Sequence, residues 1–201
     1  MNVRIEKTLN FCAGFHYDGS LSMTNYYVKL YMITNCTDSY DHNIALSRIK
    51  QFIWVELNNT IFINQENTKQ CNLYLQAGLN ITTLPAEPVD QIIGMMLYSK
   101  LNAIMEDRIL INEIEISSDA GDNIVYLHSA DEGLGPFVDA GWWSAADLVH
   151  CNESIDDTKV LNMHQTSAWR DLEMDWNPDS ITSASGNTIV FADFKKSDET
   201  K

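Results

Sequence analysis

From Val3 to His16 polar and apolar residues alternate: Val3 and Ile5 against Arg4 and Glu6, then Leu9, Phe11, Ala13 and Phe15 on one side. A period of two predicts a strand or a bent pair of strands. His16-Tyr17-Asp18-Gly19-Ser20 supplies turn chemistry. Tyr26, Val28, Leu30 and Met32 then alternate with Tyr27, Lys29, Tyr31 and Ile33, which predicts a hairpin. Asn35 to Asp41 is turn-rich, with Asp41 the expected N-cap. Leu46, Ile49, Ile53, Leu57 and Ile61 follow at helical spacing, with Phe52 beside them, and predict one long amphipathic helix. Residues 64–82 read as polar and irregular.

Glu87-Pro88 opens a second helix: an acid near the positive dipole end, and a proline whose missing N–H costs nothing there. Its stripe is Val89, Ile92, Ile93, Met96, Leu97, Leu101, Ile104 and Met105. Ile109-Leu110-Ile111 with Ile114-Glu115-Ile116 predicts a third strand. After a turn from Ser117 to Asp122, Asn123 to His128 predicts a fourth. The expected order is ββααββ: an α+β class, with a four-stranded antiparallel sheet and two helices on one face.

Beyond Ala130 the pattern weakens. Residues 131–201 hold 14 acids and five bases, while residues 1–130 hold 14 acids and eight bases. Trp142, Trp143, Trp169 and Trp176 all fall in this last part, and such aromatic content argues against disorder. We expect a domain over 1–130 and an acidic, Trp-rich extension over 131–201 packed on it. One further strand is expected at Thr188-Ile189-Val190-Phe191, with a frayed end from Lys195.

The whole chain of 201 residues has a net charge of −15 and no cationic run longer than Lys195-Lys196. Nucleic acid and anionic membranes need clustered cations, so neither is an expected partner. No stretch has the length of a membrane span, and MNVRIEKTLN lacks the apolar core of an export signal. The expected location is cytoplasmic, with Cys12, Cys36, Cys71 and Cys151 as reduced thiols and the Asn-x-Ser/Thr sequons without meaning.

Phe11-Cys12-Ala13-Gly14-Phe15-His16 is similar to an F-x-A-x-H first strand, and Asn25-Tyr26-Tyr27-Val28-Lys29-Leu30 to the continuation of an H-G-H-N-Y second strand. Ile49-Lys50 matches a Leu-Lys pair on a first helix. Ala86-Glu87-Pro88-Val89 stands where P-T-x-E-N-L opens a second, and Ile114 to Tyr126 matches a closing hairpin. In this order, over residues 1–130, they resemble the tunnelling fold of the 6-pyruvoyl-tetrahydropterin synthase and 6-carboxytetrahydropterin synthase family.

The resemblance implies a zinc held by three histidines, yet the second-strand ligand positions hold Ser22 and Thr24. His16 falls one residue late, which turns a strand side chain to the other face and leaves Phe15 in the ligand's register unless a bulge shifts it. No cofactor is therefore expected, zinc being possible only if other ligands rescue His16. The family's proton-moving cysteine corresponds by spacing to Asp18, and its Asp-His pair to Ile61-Phe62-Ile63. Its ring-anchoring glutamate falls at Ser118, with Asp119 beside it. The candidate catalytic residues are thus Asp18 and His16, and the candidate ligand-binding residues Asp119, Ser118 and Glu115.

The resulting expectation is a pterin-synthase-like protein without the zinc and proton-transfer residues: a non-catalytic binder or scaffold. A zinc-independent enzyme acting on a pterin- or purine-like molecule is the alternative, or a subunit of a larger complex. A four-stranded sheet leaves edges to be paired, so a homo-oligomer through those edges is expected. Weaker constellations are His150-Cys151 with His128 and His164 as metal ligands, Asp119/Asp122 and Asp171/Asp175 as calcium ligands, and Ser144, Ser154 or Ser167 as a nucleophile. None has the spacing its chemistry needs.

Overall fold

The structure is a computed structural model and describes residues 3–36, 38–148 and 168–177. The strand expected at 188–191, together with Cys151, His150, His164, Ser154 and Ser167, lies outside the described residues.

Strand β1 (Val3–Tyr17) and strand β2 (Ser20–Thr34) pair antiparallel without a break in register, from Val3 opposite Thr34 to Tyr17 opposite Ser20. The two residues between them, Asp18 and Gly19, both have positive φ (47° and 74°). An Asp-Gly loop is what a tight hairpin needs, because its twist matches that of the strands. The expected alternation follows: Leu9, Phe11, Ala13, Tyr26, Val28, Leu30 and Met32 are buried on one face.

The first helix is shorter than its stripe suggested. Helix α1 (Ser39–Gln51) is capped by Asp38, whose side chain accepts the Asp41 N–H; Asp41, the expected cap, is buried inside the first turn. A π-helical turn follows at Phe52–Glu56. Asn59, at φ 64°, then ends the helical path and gives its N–H to the Cys12 carbonyl at 2.7 Å. Ile61-Phe62-Ile63 is therefore not the helix's last turn but strand β3 (Ile61–Asn64).

The stretch expected to be irregular is ordered. It holds helix α2 (Thr68–Gln76) and strand β4 (Ile81–Leu84). β3 adds parallel to β1 and β4 parallel to β3, on the edge that the expected fold leaves open. Helix α3 (Asp90–Met105), strand β5 (Ile109–Ser118) and strand β6 (Tyr126–Ser129) complete the chain's main body. The sheet thus has six strands in the order β4-β3-β1-β2-β5-β6, parallel on one side and antiparallel on the other. This corrects the four-stranded antiparallel sheet; the class, α+β, is as expected.

The helices also divide between the two faces. Ile49, Ile53, Ile93, Met96, Leu97, Leu101 and Ile104 from α1, the π turn and α3 pack on the main core face. Ile61, Ile63 and Ile81 turn the other way and, with Cys71, Tyr74 and Leu75 of α2, make a second small core. β5 carries a bulge between its pairs with Tyr31 and Met32. The bulge keeps Ile109 and Ile111 on the same face as Ile114 and Ile116, which strict alternation would separate. Asn102 fills the gap, accepting the Ile111 N–H at 2.9 Å and donating to its carbonyl at 3.3 Å.

The described part of the extension packs on α1 and α3. Phe137, Trp143, Leu148 and Trp169 join the main core. Lys100, fully buried on α3, donates to the carbonyls of Trp142 (3.0 Å), Ala145 (2.8 Å) and Asp147 (2.7 Å). Arg48 of α1 lies between the rings of Trp169 and Trp176 and donates to the Met174 carbonyl, the Ile104 carbonyl and Glu106. Cys12, Cys36 and Cys71 form no disulfide. Among the described residues, no helix is long and apolar enough to cross a membrane.

Candidate functional site

The N-terminus of α3 meets the end of β5 over the hairpin end of β1 and β2. The space between is a pocket of about 200 Å³ lined by Phe15, Tyr17, Tyr26, Pro88, Val89, Asp90, Ser118, Ala120, Gly121 and Tyr126. That volume lies below the roughly 300–1,000 Å³ of drug-sized sites.

Strand parity decides which side chains reach it. Phe15, Tyr17 and Tyr26 stand on the core face, and Ser118, paired with Tyr26 and in step with Ile114 and Ile116, stands there too. Tyr26 is buried, stacks on Phe11 with centroids 5.0 Å apart, and meets Phe62 edge-on. Burial, and then the Asp90 carboxylate, push its phenol far up, so it stays a neutral hydroxyl.

Asp90 supplies the charge. It is the first residue of α3, where the helix dipole favours an anion. Ser118 Oγ lies 2.9 and 2.8 Å from its two carboxylate oxygens and donates to them, while accepting the Gly121 N–H at 3.1 Å. Burial raises the Asp90 carboxyl above its ordinary value, and the hydroxyl bond opposes that shift. Gly121 leaves the room: a Cβ there would stand 2.7 Å from Asp90 Oδ2. The result is one carboxylate, with the Ser118 hydroxyl on it, among the aromatic walls of Phe15, Tyr17, Tyr26 and Tyr126.

The sequence-based candidates separate. Ser118 lines the pocket. Asp119, just beyond the strand, accepts from Asn25 Nδ2 at 2.8 Å in an exposed position. Glu115 faces the opposite side of the sheet and accepts from the Tyr31 hydroxyl. Asp18 is exposed at the hairpin tip. His16 is buried on the far face, opposite Leu21, with Nδ1 2.9 Å from the Tyr74 hydroxyl of α2. Neither candidate catalytic residue reaches the pocket, because the unbroken register sends His16 away and the two-residue loop holds Asp18 outside.

The same register tests the zinc site that the resemblance implies. Phe15 pairs with Ser22 and Ala13 with Thr24, so the positions that would converge on a metal carry a phenyl ring and two hydroxyls. Thr24 Oγ1 is already engaged by the Ala120 N–H at 3.0 Å. These residues do not fit a zinc ion, whose sites take nitrogen, sulfur or carboxylate ligands. Among the described residues, no three His, Cys, Asp or Glu side chains converge as a metal site. His128 is buried against Tyr98, with Nδ1 3.2 Å from Glu132, and serves no such group. Asp171 and Asp175 are engaged by Ala168 and Arg170.

Asp90 and Tyr26 are the residues that sequence reasoning missed. Tyr26 reads as an ordinary core position of β2. Asp90 had one signal: an acid just after Glu87-Pro88, at a helix start, which reads equally well as dipole compensation.

No family model matches the chain, and no curated protein does. Among solved structures, it is similar to an uncharacterized protein of Wolinella succinogenes, at 11% identity and a TM-score of 0.48, over 65% of this chain and 99% of that one. It is also similar to 6-pyruvoyl tetrahydropterin synthase of Plasmodium falciparum, at 15% identity and a TM-score of 0.41, over 63% of this chain and 96% of that one.

Proposed function

We propose that this chain is a degenerate relative of the pterin synthases that binds a small, flat, N–H-bearing ring, pterin- or purine-like, and does not transform it. The carrying observation is the Asp90 carboxylate, held by Ser118 inside an aromatic-walled pocket. A buried carboxylate is costly unless hydrogen-bonded, and an incoming pair of N–H groups would supply the bonds that water loses. Catalysis needs a group that moves a proton, and the residues at the family's proton-transfer positions lie elsewhere: Asp18 at the tip, Ile61 and Phe62 in β3. Self-association through the remaining sheet edges, β6 and the first half of β1, is part of the same reading.

The test is binding. Small molecules released from the purified protein are identified by mass spectrometry, and guanine and pterin are titrated calorimetrically. Binding by wild type that falls roughly ten- to a hundredfold in Asp90→Asn supports the reading, the loss expected for one charge-assisted contact. Equal affinity in wild type and variant, or no binding of either ring, overturns it.

A further inference from the structure

A strand edge presents a row of unpaired N–H and C=O groups on which another strand can build. In β1 the outward groups are those of the even-numbered residues, and from Asn10 to Gly14 one short segment meets them in turn. The Trp54 indole donates to the Asn10 carbonyl at 3.2 Å. Asn58 Oδ1 accepts the Cys12 N–H at 3.1 Å, and the Asn59 N–H meets the Cys12 carbonyl at 2.7 Å. The Thr60 carbonyl then takes the Gly14 N–H at 2.7 Å, where β3 begins.

Placing β3 and β4 on β1 only moves the edge outward, and the new edge is met in the same way. In β4 the carbonyls of Asn80 and Leu84 turn towards β3, so that of Thr83 points out. The Trp142 indole donates to it at 3.0 Å. Trp142 is itself fixed, since its carbonyl accepts from the buried Lys100. By contrast β6 is met only at its end, where Glu132 takes the Ser129 N–H with its carboxylate and gives its own N–H to the Ser129 carbonyl. Ile124, Val125, Tyr126 and Leu127 are all exposed, and among the described residues nothing bonds the outward main-chain groups of Leu127.

Trp54 lies outside both cores. It is 48% exposed, an expensive place for an indole, and it sits in the π-helical turn. The extra residue in that turn, closed by Leu57 N–H to Phe52 C=O at 3.1 Å, re-aims the side chain at β1.

We propose that Trp54 with Asn58, and Trp142 on the extension, are edge locks. They occupy the second half of the β1 edge and the β4 edge with side chains of the same chain, and so restrict strand addition to β6 and the first half of β1. The surface they guard would otherwise accept a second copy of this chain.

The experiment is sedimentation of the full chain over a concentration series. Trp54→Phe and Trp142→Phe keep an aromatic ring and remove the indole donor. The double variant is expected to gain, at high concentration, roughly a doubling of weight-average mass or more over wild type. Because Trp142 also packs against the core, Trp54→Phe with Asn58→Ala, outside the buried core, carries the test separately. Its mass is expected to rise with concentration while its melting temperature holds. A folded variant with the wild-type mass at every concentration overturns the proposal. So does unfolding of the Trp54/Asn58 variant, which would make that segment a stability element instead.

Discussion

At the scale of single residues, Asp90 links the pocket to pH. Its carboxyl is raised by burial, so the folded state holds that proton more tightly than the unfolded chain does. Stability from this group therefore falls as pH climbs from the ordinary carboxylate value through the raised one. Binding of an N–H-bearing ring runs the other way, since it needs the ionised form. We expect affinity to strengthen as pH rises through the Asp90 value and then to level off. In Asp90→Asn that dependence should vanish, with a melting temperature at neutral pH no lower than wild type. Calorimetric titrations at several pH values check both; a slope that survives in the variant assigns the proton to another group.

Gly121 tests the same site from the other side. Its added Cβ would meet Asp90 Oδ2 at 2.7 Å, so Gly121→Ala must push the carboxylate off Ser118. Ring affinity should drop roughly tenfold or more, while the fold changes by only about 1 kcal/mol, an ordinary single-site effect. Denaturant melts beside the titrations separate the two. None of this was legible from composition. Ser118 was found through the resemblance, as the position where the family's ring-anchoring glutamate falls. Asp90 was not, because an acid at a helix start has a sufficient local explanation, and only the approach of β5 gives it a second role.

Among the elements, the long hairpin was legible because its apolar side chains alternate without a fault and its loop is Asp-Gly. The third strand carried a visible irregularity: apolar residues at 109 and 111, then at 114 and 116, a change of parity that demands an extra residue. What pairs with that irregularity was not visible. Asn102 on α3 answers it by taking both main-chain groups of Ile111. Asn102→Ala should leave these part-buried groups without partners, at about 1–3 kcal/mol, read as a lower melting temperature. A loss within error would show that water replaces the amide. The βαβ insertion was missed for a simple reason. Ile61 continues a helical stripe by spacing, and only the Asn58-Asn59 turn, which competes with it, breaks the helix. Helix α2 buries just Cys71 fully, and its face is too narrow to stand out as a period.

Taken as a whole molecule, the extension behaves as part of the core in the residues described. Two places on the domain are open to it, across the pocket or on the helices. Among the described residues, none of the pocket's lining comes from beyond Tyr126, and Phe137, Trp143 and Trp169 lie against the helices instead. Burial of each such side chain contributes about 1.5–3 kcal/mol, so with Leu148 the four approach the roughly 5–15 kcal/mol net stability of a domain. Their removal would also strip acceptors from Lys100 and leave Arg48 without two aromatic neighbours and the Met174 carbonyl. Both cations are buried, and a buried charge that loses its partners is strongly destabilising. A chain ending at residue 130 should therefore fail to fold or bind apolar dye heavily, and adding Lys100→Met should relieve part of that loss by removing the stranded ammonium. Expression yield, dye fluorescence and thermal melts of the two truncated forms read this out. A soluble 1–130 chain melting at the wild-type temperature would make the extension an independent appendage, whatever its contacts.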